Sequence, residues 1–89
     1  LGPFNKDSRF EPMVITIQPG GASGHKPYAR EAEQLAMVLQ GSLELTLEDE
    51  VHLLKRGDAV GIPAGSRHCW KNTSRKPAQM LLVTAHRSH

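Results

Sequence analysis

Apolar and polar side chains alternate with a period of two over much of this chain. The clearest run is residues 42–47, where Leu43, Leu45 and Leu47 stand against Glu44, Thr46 and Glu48. A period of two sends one set inward and the other to solvent, so it predicts a half-buried strand. Residues 34–39 are read as its partner across a turn at Gln40-Gly41, which together predict a hairpin. Residues 10–18 repeat the pattern, with Met13, Ile15 and Ile17 alternating with Val14 and Thr16. Pro12 has no N–H to give a ladder, so this strand lies at a sheet edge or starts after residues 10–12. Glu48-Asp49-Glu50 predicts a turn, residues 51–54 a strand and residues 55–58 another turn. Within residues 57–72, Gly57-Asp58 closes a second hairpin and residues 59–62 are short and apolar. Pro63-Ala64-Gly65 then forces a reversal, and extended chain resumes at Arg67. Residues 78–85 form the last expected strand. Pro19 to Gly24 is a glycine-rich turn, and residues 25–33, polar and containing Pro27, are expected to be loop.

A helix over residues 31–39 satisfies propensity alone, since Ala, Glu, Gln, Leu and Met are good formers. It would span barely two turns, uncapped, and run directly into Gly41 and a clean alternation, so it is rejected. Short strands at close intervals predict an all-β domain. Residues 1–9 mix Gly, Pro, Asn, Asp and Ser and read as a linker or N-terminal arm, leaving 10–89 as the folded domain.

Composition narrows the classes. At 89 residues the chain makes one domain, near the size at which a single core just suffices and dimerisation helps. With 38% apolar residues and a net charge of +2, it is neither disordered by composition nor basic enough for strong nucleic-acid binding. The pI near 9.0 does not alter this, because Lys and Arg are interleaved with Asp and Glu. Cys69 is the single cysteine, which precludes an internal disulfide and fits a cytoplasmic protein. No run is long enough for a membrane span and no signal-peptide pattern occurs. The chain starts at Leu1 rather than Met, so it is expected to be a fragment.

Gly57, Pro63, Gly65, His68 and Asn72 have the spacing of the second motif of the cupin superfamily, which this chain resembles. The resemblance implies a small cupin jelly-roll β-barrel. The first cupin motif has two His one residue apart, then a Glu and then a Gly. Gly41 fits its last position, and counting back puts Gln34 in place of the Glu. Arg30 and Tyr28, or Ala29 and Pro27 with the longer loop, replace the two His. The resemblance therefore implies a metal site reduced to His68. Arg cannot ligate and Gln is a poor neutral ligand, so no metal and no cofactor are expected. His25 serves only if the loop is longer than usual, and His52, His86 and His89 lack ligand spacing.

A shell without a metal still has an interior. Alternation directs Gln34, Ala36 and Val38 into it, with His68 and Trp70 opposite. Apolar walls with a few convergent polar groups describe a small-molecule site. Arg30 at its mouth offers a planar fork for a carboxylate, sulfonate or phosphate, and Tyr28 adds a hydroxyl donor. The plainer alternatives are a solvated Arg30, a His68 bonded to backbone and a Trp70 that is simply core. Cys69 is adjacent to His68 but on the opposite face, so the two make no catalytic pair, and no catalytic residue is assigned.

Residues 9–84 resemble more closely a particular cupin branch, the C-terminal sensor domains of bacterial helix-turn-helix regulators of the phage-repressor type. The likeness is carried by Arg9-Phe10-Glu11, Pro19-Gly20-Gly21, Gln40-Gly41-Ser42-Leu43-Glu44-Leu45 and Leu54-Lys55-Arg56-Gly57-Asp58. It implies a small-molecule effector in the barrel, a homodimer, and DNA contact only through an N-terminal domain outside this chain. Two alternatives stand beside it: a stand-alone cupin enzyme of isomerase or dioxygenase type, and a structural dimerisation module.

Overall fold

The computed structural model describes residues 8–22, 28–29 and 32–87. The expected strands become β1 (Ser8–Ile17), β3 (Glu33–Gln40), β4 (Ser42–Leu47), β5 (Glu50–Lys55), β6 (Ala59–Ile62), β7 (Arg67–Lys71) and β8 (Ala78–Arg87). A further strand, β2 (Tyr28–Ala29), falls where loop is expected. It forms because its backbone groups pair with the free side of β7, Tyr28 opposite His68 and Ala29 opposite Arg67. No helix long and apolar enough to cross a membrane occurs among the described residues.

The strands make two sheets, ordered β1-β8-β3-β6 and β2-β7-β4-β5, with every pairing antiparallel. This is an all-β jelly roll, two facing sheets whose inner residues form one core. Val38, Ala36, Met80 and Ala78 come from the first sheet, Leu43, Leu45 and Trp70 from the second.

Two expected hairpins are instead crossings between sheets. The turn at Gln40-Gly41 links β3, which pairs with β6 and β8, to β4, which pairs with β5 and β7. Gly57-Asp58 likewise carries the chain from β5 in the second sheet to β6 in the first. A tight glycine turn reverses the chain whichever sheet it enters next; burial of two apolar faces against each other decides the partner. Long-range bonds hold the second crossing: Gly57 N–H donates to Val38 O at 2.8 Å, and Val38 N–H donates to Asp58 O at 3.0 Å. The turn between β4 and β5 does close a hairpin, with Leu47 opposite Glu50. Glu48 there has a φ of 53°, and its carboxylate accepts a bond from Arg67 N–H at 3.1 Å.

Strands β1 and β8 pair without interruption from Ser8↔Arg87 to Ile17↔Ala78, two residues further at each outer end than alternation predicts. β1 is an edge strand, which accommodates Pro12 opposite Val83. Only its last part is covered: Ile17 is 6% exposed, but Met13, of the same parity, is 50% exposed. The outward face of this first sheet is apolar across all four strands. One row reads Pro12–Val83–Leu35–Gly61 and the next Val14–Leu81–Met37–Ala59.

Candidate functional site

The turn before β7 fixes His68. Gly65 has a φ of 82°, and Ser66 N–H closes the turn onto Pro63 O at 3.2 Å. The Ser66 carbonyl lies 3.1 Å from His68 Nδ1. A carbonyl only accepts, so Nδ1 carries the proton and, in the neutral ring, Nε2 is the acceptor. His68 is 1% exposed, sits second in β7 and pairs with Leu47 on one side and Tyr28 on the other. Two positions on, Trp70 is buried opposite Leu45.

On the facing sheet, Gln34 is second in β3, flanked by Thr84 of β8 and Ile62 of β6. Its Nε2 donates to Thr84 Oγ1 at 3.0 Å. Its Oε1 is buried and has no hydrogen-bond partner among the described residues. Ala36 and Val38 follow at the next inward positions, both fully buried. Ile62 ends β6 and Arg67 begins β7, and the turn between them crosses from one sheet to the other. Gln34, Thr84 and His68 therefore lie at the same end of the sandwich, with Ala36, Val38 and Trp70 further in.

Of the residues singled out from sequence, the structure places Gln34, Ala36, Val38, His68 and Trp70 on the two inner faces. Tyr28 is brought beside His68 by backbone pairing. Arg30 lies outside the described residues. Thr84 is a site residue that sequence reasoning missed. Its signal was parity: Ala78, Met80, Leu82 and Thr84 share one face of β8, and a hydroxyl at the fourth such position needs a partner inside. Cys69 is a free, half-buried thiol on the other face of β7, paired with Thr46.

Asn72, the last motif residue, is a structural tie. Its Nδ2 donates to Ile17 O and to Lys76 O, each at 2.8 Å. Its Oδ1 accepts from Ser74 N–H at 2.9 Å and from Ser74 Oγ at 2.7 Å. Backbone bonds between Asn72 and Gly20 and Gly21 complete the join between β7 and the end of β1.

The chemistry of this set is narrow. Gln34, His68, Asn72 and Thr84 are the buried polar residues, and no Asp, Glu, Lys or Arg is buried among the described residues. No group of three His, Cys, Asp or Glu is placed to hold a metal among them. One imidazole, one neutral amide and one hydroxyl do not fit the charge and donor demands of a resident first-row metal. They do fit hydrogen bonding to a small polar group.

Comparison with known proteins agrees with this architecture. The chain is 33% identical over 75 residues to the xanthan biosynthesis protein XanB of Xanthomonas campestris, covering 84% of this chain and 16% of that protein. To the mannose-1-phosphate guanylyltransferase of Salmonella montevideo it is 27% identical over 75 residues, with the same coverage. The chain thus spans only 16% of the length of these curated relatives. Among solved structures, the TT1209 protein from Thermus thermophilus superposes with a TM-score of 0.80 at 30% identity, covering 96% of this chain and 79% of the other. A sugar phosphate isomerase of the cupin superfamily from Silicibacter pomeroyi gives 0.76 at 28% identity, over 89% of this chain and 56% of the other. The cupin domain of an XRE family transcriptional regulator from Enterobacter cloacae gives 0.79 at 22% identity, over 100% of this chain and 93% of the other. Residues 13–84 match the model of the Cupin domain family. Together with the Gly57-to-Asn72 motif and the two-sheet jelly roll, that match places the chain in the cupin family.

Proposed function

We propose that this cupin domain binds a small molecule at the Gln34–His68 end of its sandwich. We further propose that it is the effector-binding and dimerisation part of a bacterial helix-turn-helix regulator. One observation carries the binding proposal: buried Gln34, Thr84 and His68 lie at one end of an apolar interior, and a buried carbonyl oxygen there lacks a partner among the described residues. Leaving such an acceptor empty costs about 1–3 kcal/mol, which an incoming donor recovers. The regulator part draws on the sequence segments shared with sensor domains; the likeness to the Enterobacter domain, at 22% identity, bears on the fold. Dimerisation is supported by the apolar outer face of the first sheet. In a dimer that bound DNA, the effector would act by binding the DNA-competent and incompetent forms unequally.

A second reading, a stand-alone enzyme acting on a sugar phosphate, is favoured by the 28% identity to the Silicibacter isomerase. It requires an acid and a base, and the buried set among the described residues holds one titratable group, His68.

The test is the native gene product in its host. The regulator proposal expects a product larger than 9.8 kDa by about 60–100 residues, the size of a small DNA-binding domain and linker. That product should protect a palindromic operator from nuclease and change its protection when host metabolite fractions are added. A product of the domain's own mass, or a larger one that protects no DNA, overturns the regulator proposal.

A further inference from the structure

Gln34 is held by one hydrogen bond and left short by one. Nε2 reaches Thr84 Oγ1 at 3.0 Å, while Oε1, in a residue 3% exposed, meets no partner among the described residues. The described side chains around it call for one bond from this amide: its neighbours in the row are Thr84, whose hydroxyl it meets, and Ile62, and the next inward residue is Ala36, so the second polar atom answers no side chain among the described residues. We infer that the Gln34 amide reads a hydroxyl group of the ligand, and that the ligand is a compact neutral molecule carrying that hydroxyl on an apolar frame. This assignment rests on the proposal that this end of the sandwich takes a small molecule.

Three features select that class. Charge comes first: the buried polar side chains at this end are an amide, a hydroxyl and an imidazole, with no buried Arg or Lys among the described residues to receive an anion. Desolvating a carboxylate or phosphate against these three groups, none of them a fixed cation, costs more than their hydrogen bonds return. The second feature is hydrogen-bond polarity. Thr84 Oγ1 both donates and accepts, so the amide keeps its bond to Thr84 whichever way round it lies. What faces the ligand is then a carbonyl in one orientation and an NH2 in the other. A hydroxyl, which also donates and accepts, satisfies both; a methyl group satisfies neither. Third, the residues beside the amide are apolar, Ile62 in its own row and Leu47 beside His68 on the opposite sheet, so the remainder of the ligand meets hydrocarbon.

The experiment uses matched probes on the full chain: phenol and cyclohexanol, toluene and methylcyclohexane, benzoate and cyclohexanecarboxylate. Binding is followed by titration and by the side-chain amide resonances of Gln34. The hydroxyl probes are expected to bind at least tenfold more tightly than the methyl and carboxylate probes of the same shape and to move the Gln34 amide signals. Q34L should abolish that discrimination while leaving toluene binding unchanged or tighter. Equal affinity across each matched set, tighter binding of the carboxylates, or discrimination that survives in Q34L overturns the assignment and leaves the binding proposal standing. If none of the probes perturbs the wild-type protein, both fail. Should Q34L not fold, the wild-type amide resonances decide: movement with phenol but not toluene supports the assignment, and equal movement or none overturns it.

Discussion

Asn72 fills all the hydrogen-bonding positions of its amide, with two carbonyls on the nitrogen and the Ser74 N–H and hydroxyl on the oxygen. Replacing it with Ala strands the Ile17 carbonyl in a buried site and takes away the partner of Ser74 N–H in a half-buried one, while Lys76 O keeps its bond from Ser74 Oγ at 3.0 Å. A loss of about 3 kcal/mol is expected in urea unfolding. N72D should be worse than N72A, because it sets a carboxylate oxygen against two carbonyls where an NH2 stood. Equal stability of the two variants would show that the carbonyls find other partners. Residues of this kind differ in how visible they are along the chain. Asn72 and His68 stand at fixed distances from a Pro-Gly turn, and Gln34 stands at a fixed distance from Gly41, so local spacing exposes all three. Thr84 is an ordinary β-branched residue in a mostly apolar strand, and its meaning comes from a partner fifty positions away. Arg30, inferred from loop position alone, lies outside the described residues.

At the level of strands, alternation together with turn residues located seven of the eight among the described residues, and ends differed by a residue or two. Tyr28–Ala29 escaped because two residues are too few to show a period. Sheet membership was harder to read. Gly41 and Gly57 both satisfy the requirement of a tight turn for positive φ, at 77° and 90°, and a hairpin and a crossing make the same local demand. Their surroundings separate them. A Cβ at Gly41 would lie 3.0 Å from Pro77 O and 3.2 Å from Ala78 Cα, whereas one at Gly57 would meet nothing within 4 Å. G57A should therefore cost only the backbone penalty, about 1 kcal/mol. G41A adds steric displacement of the chain entering β8 and should cost about 2–3 kcal/mol. Matched urea titrations compare them, and equal losses would mean that the chain at Pro77 yields freely.

At the scale of the whole molecule, the outer face of the β1-β8-β3-β6 sheet is the unfinished part. Val14 and Leu35 are more than half exposed, at 59% and 52%, and stand in unbroken apolar rows with Leu81, Val83 and Met37. The ten, ten, eight and four residues of β1, β8, β3 and β6, at about 3.3 Å per residue and about 4.8 Å between strands, present roughly 500 Å², a little under one partner's share of the smallest stable interfaces. A second copy of this chain is the occupant proposed, since a face whose central rows carry no charge can meet itself across a two-fold axis. L35E would bring like charges together at the centre of that interface. It is expected to convert a dimer to a 9.8 kDa monomer in sedimentation at micromolar concentration. V51E, on the outer face of the other sheet, should leave the dimer intact. A dimer unaffected by L35E, or a wild-type monomer, would remove this surface from the proposal.

The pairing of Ser8 with Arg87 has a mechanical consequence. The two described ends of the chain lie side by side, and the strands that lead away from them are antiparallel. Tension applied between those ends pulls across the ladder, loading its outermost rung first and then each rung in turn. Strands β1 and β8 therefore open like a zipper, at the low forces of single hydrogen bonds, instead of resisting together in shear. The load reaches the core at the Ile15–Met80 rung, two rungs before Ile17 and Ala78 part.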